Sequence, residues 1–119
     1  MEPVVLVDAR NVLRSRWPNL EPDWFLGRTR AWAEGEGVRA RVVFDGRAPA
    51  WEADERLAVA GTGGGSADDL IAAEAARLAG EGRPAWLVSS DRNLRARVAS
   101  AVERTIGGGT FAGLLGRLD

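Results

Sequence analysis

Aspartate side chains follow short apolar runs at several points of this sequence, and carboxylates gathered at one place can hold a hard metal ion. The aspartates concerned are Asp8, Asp45, Asp68 and Asp91. Because two carboxylates a few ångströms apart repel by roughly 4 kcal/mol at an effective dielectric constant near 20, a gathered set calls for a divalent cation. Ligands made only of oxygen favour Mg²⁺ or Mn²⁺. Such a metal polarises a phosphate and lowers the pKa of bound water, so the predicted chemistry is phosphodiester hydrolysis.

The composition removes most other kinds of chemistry. The chain has no Cys and no His, which excludes disulfides, thiolate ligands and imidazole bases. It has no Lys either, and all 16 basic side chains are Arg. A phosphate-binding P-loop and a receiver-type phosphorylation domain both depend on a lysine, which argues against these two classes. The formal net charge of −1 argues against a protein that coats nucleic acid through bulk electrostatic attraction.

Arginines lie close in sequence to the first and the last of these aspartates. A guanidinium group can bind a phosphate through two hydrogen bonds at once. We therefore expect Arg10, Arg14 and Arg92 to bind phosphates that flank the scissile one.

Alternating strands and helices must position these side chains. Short apolar runs without polar alternation predict strands buried on both faces, as in a parallel sheet covered by helices. Strands are predicted at 4–8, 38–44, 57–60, 84–89 and 102–106. Helices are predicted from Pro22 to the glycines at 35 and 37, at 66–80, from 91 to about 101, and from 110 onward. The pattern indicates one α/β domain over residues 1–119, with a doubly wound parallel sheet whose strand ends bring the aspartates to one edge.

Each aspartate also has an ordinary structural interpretation, because an Asp after a strand often caps the next helix or forms an Asx-turn. Asp69 fits this interpretation, since Ser66 and Asp69 can form a reciprocal capping box at the start of a helix. Asp68 then has no obvious structural task. Ser90 and Thr110 are the predicted N-caps of two later helices.

Three segments are predicted to lack regular structure. Residues 9–19 are expected to form a loop or a single irregular turn, 47–55 a loop over the sheet, and 61–65 a flexible connector rather than a phosphate cradle. Trp51, in the second segment, could cap the core or touch a ligand, and the sequence does not decide between these two roles.

Together these motifs resemble those of the NYN domains in the PIN-like nuclease superfamily, and most of all the YacP-like branch. The resemblance rests on residues 7–12 (VDARNV), 44–46 (FDG), 66–71 (SADDLI) and 88–91 (VSSD), and on 109–111 (GTF) entering the last helix. It covers essentially the whole chain. It implies a PIN-like three-layer α/β/α fold with a central parallel sheet of about five strands.

The resemblance further implies a metal-dependent ribonuclease that uses Mg²⁺ or Mn²⁺ on RNA, and we expect an endoribonuclease. The matching catalytic and metal-binding acids are Asp8, Asp68 and Asp91, with Asp45 as a more variable fourth metal ligand. One residue departs from the family pattern, because Ala9 stands where the family usually has Gly. A methyl group here is expected to narrow the approach of a phosphate.

The resemblance also implies supporting residues around the acids. Asn11 would orient the first acid or touch the substrate, and Ser90 would place its hydroxyl beside the last acid. Asp69 would support the ligand set from outside it.

Other functions on the same fold stay open at this point. The small net charge, the small size and Ala9 also fit a module that binds RNA or a protein without cleaving it. A phosphatase with an aspartyl nucleophile is disfavoured, because Arg10 stands where that chemistry usually has an acid. The sequence leaves open a homodimer and a partner in RNA decay, at the ribosome or in a toxin–antitoxin pair. No apolar stretch approaches the roughly 20 residues of a membrane span and no secretory signal is present, so we expect a cytoplasmic protein without membrane partners.

Overall fold

The structure, a computed structural model, describes residues 1–118, and its centre is a parallel sheet. The strands are β1 (Val4–Asp8), β2 (Arg39–Phe44), β3 (Leu57–Gly61), β4 (Ala85–Val88) and β5 (Arg104–Ile106). The helices are α1 (Ala9–Leu13), α2 (Pro22–Glu36), α3 (Ala67–Gly80), α4 (Arg92–Val98) and α5 (Gly108–Gly116). The strand order is β3-β2-β1-β4-β5, and each neighbouring pair is parallel. The predicted α/β fold with a five-stranded parallel sheet is confirmed.

Strand β1 is buried throughout because it is the middle strand and helices cover both faces of the sheet. Val5 and Val7 belong to one apolar cluster, together with residues of α1, α2 and α5. Val4 and Leu6 belong to the opposite cluster, together with residues of α3 and α4. This alternation follows from the side-chain period of two along a strand. Each of these buried side chains contributes on the order of 1.5–3 kcal/mol to stability.

The strand order reverses next to β1. The chain moves from β1 outward to β2 and β3, and then returns to place β4 on the other side of β1. In open α/β sheets, ligands bind in the crevice at the carboxyl ends of the strands where the order reverses. Asp8, the last residue of β1, lies at this crevice.

Two helix starts next to this crevice differ from the predicted ones. Residues 9–13 form the short helix α1 rather than a loop, and the Asp8 side chain is its N-cap. Asp91, not Ser90, is the N-cap of α4. Both aspartates therefore also have the ordinary capping role of an acid that follows a strand.

Helix α5 also starts earlier than predicted. It begins at Gly108, with Gly107 as its N-cap, so Thr110 lies inside the helix. The reason is a long-range contact, in which the Gly108 N–H donates a hydrogen bond of 2.8 Å to Ser90 Oγ. The sequence near Thr110 carries no sign of this partner.

The other helix boundaries follow local chemistry. Helix α2 begins at Pro22 and ends at Glu36. Its C-cap is Gly37, whose φ of 69° lies in the left-handed region that glycine adopts easily. Helix α3 begins after its N-cap Ser66, as predicted. Nowhere between residues 1 and 118 does a helix combine the length and the apolar character that crossing a membrane requires.

The connection between β2 and β3, residues 45–56, contains no helix. Trp51 is half-buried and packs against the apolar cluster on the α2 side of the sheet. The Asp54 carboxylate accepts hydrogen bonds from the backbone N–H groups of Arg56 and Leu57 at 2.9 and 3.0 Å, which shapes the entry into β3. Of the two roles considered for Trp51, the structure therefore shows core packing.

Gly61, at the end of β3, lies against the backbone of the segment that connects β2 to β3, and this close contact can be tested. A Cβ atom there would lie 2.6 Å from the Gly46 carbonyl oxygen and 2.8 Å from the Ala48 nitrogen, and both are backbone atoms. We expect Gly61→Ala to lower the free energy of unfolding by about 1–3 kcal/mol, because the backbone must shift. Gly64→Ala is the control, since nothing lies within 4 Å of its Cβ position. Chemical denaturation measures the free energy of unfolding of both variants. Equally small losses in Gly61→Ala and Gly64→Ala would contradict the close approach.

Candidate active site

The four predicted aspartates line one pocket of about 340 Å³ at the carboxyl edge of the sheet. This acidic pocket is lined by Asp8, Arg10, Asn11, Arg14, Asp45, Ser66, Asp68 and Asp91. The side chains come from the ends of β1 and β2, the start of α3, the residues after β4, and α1 with the residue that follows it. Residues as distant in the sequence as 8 and 91 therefore meet because their strands are neighbours in the sheet.

Asp8 is the deepest of the four acids, with only 6% of its surface exposed. Ser89 donates a hydrogen bond from its hydroxyl to Asp8 Oδ2 at 3.0 Å, and the Asn11 backbone N–H donates to Oδ1 at 3.4 Å. Burial raises the pKa of Asp8, although these two hydrogen bonds oppose the shift. The negative charges of Asp68 and Asp45 raise this pKa further. Asp8 is thus a buried carboxylate that repels its neighbours.

Asp45 joins the end of β2 to the start of α3. Its Oδ1 accepts a hydrogen bond of 2.9 Å from the backbone N–H of Ala67, the first residue of α3. Ser66 caps the same helix by accepting a hydrogen bond from the Asp69 N–H at 3.1 Å. These two bonds hold the first turn of α3, and Asp68 with it, at the pocket.

Asp68 differs from the other acids because nothing donates to it. None of the hydrogen bonds found between residues 1 and 118 reaches its carboxylate. Partial burial raises the pKa of Asp68, and the charges of Asp91 and Asp45 add to this effect, while Arg97 opposes it. The structure therefore gives Asp68 no partner for its charge inside the pocket, in agreement with its lack of a structural task in the sequence.

Asp91 is held from two sides. Its Oδ1 accepts a hydrogen bond of 3.0 Å from the Leu94 N–H in the first turn of α4. Its own backbone N–H donates to Ser89 Oγ at 3.1 Å. Because the Ser89 hydroxyl also donates to Asp8, this fully buried serine connects two of the acids.

Ser89 is a site residue that the sequence interpretation missed. The sequence favoured Ser90 as the hydroxyl beside the last acid, but the Ser90 hydroxyl contacts Gly108 instead. The signal that could have found Ser89 is its position directly after the apolar strand β4, where a polar side chain is buried at the crevice. A buried hydroxyl needs a hydrogen-bond partner, and the nearest polar groups at that edge are carboxylates.

Asn11 has a different role from the one expected for its side chain. Its backbone N–H holds Asp8, whereas its Oδ1 accepts a hydrogen bond of 2.9 Å from the Ser90 N–H. The Asn11 side chain also lines the acidic pocket. Asn11, Ser90 and Gly108 thus form a chain of contacts that ties α1 to the start of α5.

Two predicted residues lie outside the acidic pocket. Asp69 points to solvent with 73% of its side chain exposed and forms an ion pair of 2.9 Å with Arg97. That hydrogen bond lowers the pKa of Asp69, and the carboxylate does not complete the predicted capping box. Arg92 is exposed and is not among the residues that line the pocket. Arg10 and Arg14 do line it, and their binding of phosphate stays a prediction.

Ala9 does not narrow the pocket. Its side chain is fully buried and belongs to the apolar cluster beneath α1. The expectation that its methyl group obstructs a phosphate is therefore wrong, because the side chain packs into the core and not toward the acids.

The donor set suits a hard divalent cation, since the pocket offers carboxylate oxygens and the chain has no His or Cys. No group of at least three acidic side chains within residues 1–118 is already spaced to hold a metal ion. The acids share a pocket and repel one another, but they do not form a closed metal cage. An open set of carboxylates of this kind is compatible with a cation that keeps part of its water shell.

Solved structures share this fold. Crystal structures of Rae1 (YacP) from Bacillus subtilis match the chain, one of them a single-substitution mutant. The mutant structure matches over 96% of this chain and 75% of that chain, with a TM-score of 0.75 and 19% sequence identity. The other matches over 95% of this chain and 73% of that chain, with a TM-score of 0.71 and 19% identity. The chain therefore shares the fold of these Rae1 (YacP) structures, and at this identity the likeness concerns the fold alone. No protein-family model and no curated protein sequence matches the chain.

Asp68 offers a test of the repulsion in the acidic pocket. We expect Asp68→Asn to raise the melting temperature at pH 7 in chelator by about 2 °C, on the order of 0.5 kcal/mol after solvent screening. A carboxyl whose pKa is raised by folding costs stability only when it is charged, so the gain should vanish as the pH falls toward about 4. Asp8→Asn is a poorer choice, because Ser89 donates a hydrogen bond to that carboxylate. A gain that is the same at pH 4 and pH 7 in thermal melts would contradict this electrostatic origin.

Gly108 offers a test of the contact between α1 and α5. A Cβ atom there would lie 2.1 Å from Asn11 Oδ1. We expect Gly108→Ala to displace the Asn11 side chain and to lower the free energy of unfolding by about 1–3 kcal/mol. Gly109→Ala should be close to neutral, since its nearest neighbour is an Arg16 nitrogen at 3.5 Å. Urea denaturation compares the two, and a neutral Gly108→Ala would show that α5 does not dock on Asn11.

Proposed function

We propose that this chain is a metal-dependent ribonuclease that hydrolyses RNA phosphodiesters at the acidic pocket. The observation that carries the proposal is the meeting of Asp8, Asp45, Asp68 and Asp91 in one pocket with Arg10 and Arg14. The YacP-like fold and the resemblance of the motifs to NYN domains support the same activity.

The aspartates would supply the metal ligands. Mg²⁺ usually keeps several waters and binds through one or two carboxylates, so a pocket without a closed cage is compatible with it. Asp68 is the first candidate for direct contact, because its carboxylate has no hydrogen-bond partner within the described part of the chain. Asp8, Asp45 and Asp91 each have one carboxylate oxygen engaged by a helix N–H. When bound, the cation would polarise the scissile phosphate and lower the pKa of an attacking water.

Other groups in the pocket would keep the acids in position. The Ser89 hydroxyl fixes the side chain of Asp8 and the backbone of Asp91 at once. The Ala67 N–H orients Asp45. Ligands held by such hydrogen bonds lose less conformational freedom when a cation binds, because their rotamers are already chosen.

The arginines would bind the substrate backbone. Arg10 and Arg14 line the pocket beside the acids, where a guanidinium group can donate two N–H hydrogen bonds to a pair of phosphate oxygens. This places positive charge next to a negative site and orients the phosphodiester toward it. Arg92 directly follows Asp91 in the sequence but lies outside the pocket, so it would contact a more distant part of the strand.

A module that binds RNA without cleaving it is the second candidate. The observation in its favour is the spacing of the acids, since no ready-made metal group is present between residues 1 and 118. It predicts that RNA binds and that Mg²⁺ or Mn²⁺ brings no turnover.

Neighbouring acids on α3 give a matched pair for the test. RNA and DNA oligomers and a closed circular RNA are incubated with Mn²⁺, Mg²⁺ or chelator, and products are separated on a gel. We expect RNA cleavage only with metal, and a loss of at least about 100-fold in Asp68→Asn, because that change removes a ligand oxygen. Asp69→Asn, which removes only the exposed pair with Arg97, should retain activity.

Cutting of the circular RNA would identify the endonucleolytic mode. Metal-independent cleavage, or equal activity in Asp68→Asn and Asp69→Asn, would reject the acidic pocket as the catalytic site. Binding without turnover in every condition would favour the non-cleaving module.

A further inference from the structure

Trp17 is an aromatic side chain left almost entirely in solvent. It is 92% exposed, and the other large apolar side chains exposed within residues 1–118 are Met1 and Leu70. A Trp side chain typically buries 150–250 Å² of surface and contributes strongly to cores and interfaces. The exposed indole is therefore accessible to a binding partner.

The loop that carries Trp17 is held in place. It runs from Arg14 to Glu21, between α1 and α2, and we call it the α1–α2 loop. The Leu20 N–H donates to the Leu13 carbonyl at 3.0 Å and closes its base. Arg16 Nη2 donates to the Gly109 carbonyl at 3.1 Å, which ties the loop to the first turn of α5. The indole is thus presented from an anchored loop.

A second pocket adjoins the acidic pocket on the side of this loop. It has a volume of about 320 Å³ and is lined by Arg10, Leu13, Arg14, Asn19, Phe44 and Asp45. Three of these residues, Arg10, Arg14 and Asp45, also line the acidic pocket. The two pockets are therefore neighbours, and we call them together the groove; the second adds Leu13, Asn19 and Phe44 to the shared side chains.

Trp17 must lie close to the rim of this second pocket. It is two residues from Asn19 and three from Arg14, and both of those residues line the pocket. An extended chain spans at most about 3.6 Å per residue, so the Trp17 backbone is within roughly 7 Å of Asn19. The length of an indole side chain is comparable to that distance.

We propose that Trp17 stacks on an unpaired base of an RNA strand bound along this groove. The inference rests on the proposed function. Arg10 and Arg14 would bind the phosphates between the acidic pocket and the second pocket, where Leu13 and Phe44 provide apolar contact for a nucleoside. Bases of a duplex are stacked on one another and cannot reach the indole, whereas single strands can splay a base onto an aromatic ring.

RNA binding by Trp17 variants tests this inference apart from cleavage. The parent is the Asp68→Asn variant, so that the RNA stays intact, and the probe is a labelled oligonucleotide, either single-stranded or paired to its complement. We expect Trp17→Ala to raise the Kd for the single strand by about 5- to 100-fold, the usual cost of losing one stacked base. Trp17→Phe should restore affinity to within about threefold, and the affinity for the duplex should not change.

Tryptophan fluorescence provides the matched control. Single-stranded RNA should quench the tryptophan fluorescence of the parent variant. Most of this quenching should be lost in Trp17→Phe and kept in Trp24→Phe. Trp24 is on α2 and lines a different pocket, with Arg28 and Leu118.

Several outcomes would overturn the inference. These are no binding of the single strand by the parent, an unchanged Kd in Trp17→Ala, and an equal loss for both RNA forms. A dimer in light scattering that becomes a monomer in Trp17→Ala would assign the indole to contact between two copies of the chain. Trp17-dependent binding in a protein that never cleaves RNA would support this inference and reject the proposed function.

Discussion

Repulsion between carboxylates at one edge of the sheet is the constraint on which the site depends. The structure opposes it with backbone N–H groups at the starts of helices. The Asn11 N–H donates to Asp8, the Ala67 N–H to Asp45 and the Leu94 N–H to Asp91. A parallel sheet makes this possible, because its strands end where the following helices begin, so acids and unpaired N–H donors gather at the same edge. The same geometry that brings the carboxylates together therefore also supplies the N–H donors that stabilise them.

The compensation is uneven, and the unevenness separates structural from chemical roles. Asp8, Asp45 and Asp91 each accept a hydrogen bond that a helix or loop requires, so each contributes to the fold as well as to the pocket. Asp68 accepts none within residues 1–118, and the repulsion from its acidic neighbours is only partly opposed by Arg97. A carboxylate that serves no local structure lowers stability, and this cost fits the role proposed for Asp68.

Much of the fold could be predicted from the sequence, because the signals are local. The run of valines in β1 and the Ser66 cap of α3 each identify their element without reference to the rest of the chain. The meeting of the four acids followed from the parallel topology. The errors concern contacts between distant segments. Helix α1 has five residues and depends on the cap from Asp8, and α5 starts where Ser90 accepts its N–H. Ser89 donates to the Asp8 carboxylate from 81 positions away. Ala9 was misjudged for the same reason, since only the packed structure shows which way its methyl group points.

The pairing of β1 with β4 also determines when the acidic pocket can form. Ser89 reaches back across 81 positions to Asp8, and no segment shorter than residues 8–91 contains all four acids. During synthesis from the N-terminus, β2, β3 and α3 precede β4, so an emerging polypeptide carries three of the four acids before it carries Asp91. A chain that ends before β4 therefore lacks Asp91 and the Ser89 hydrogen bond to Asp8, and its acidic pocket is incomplete.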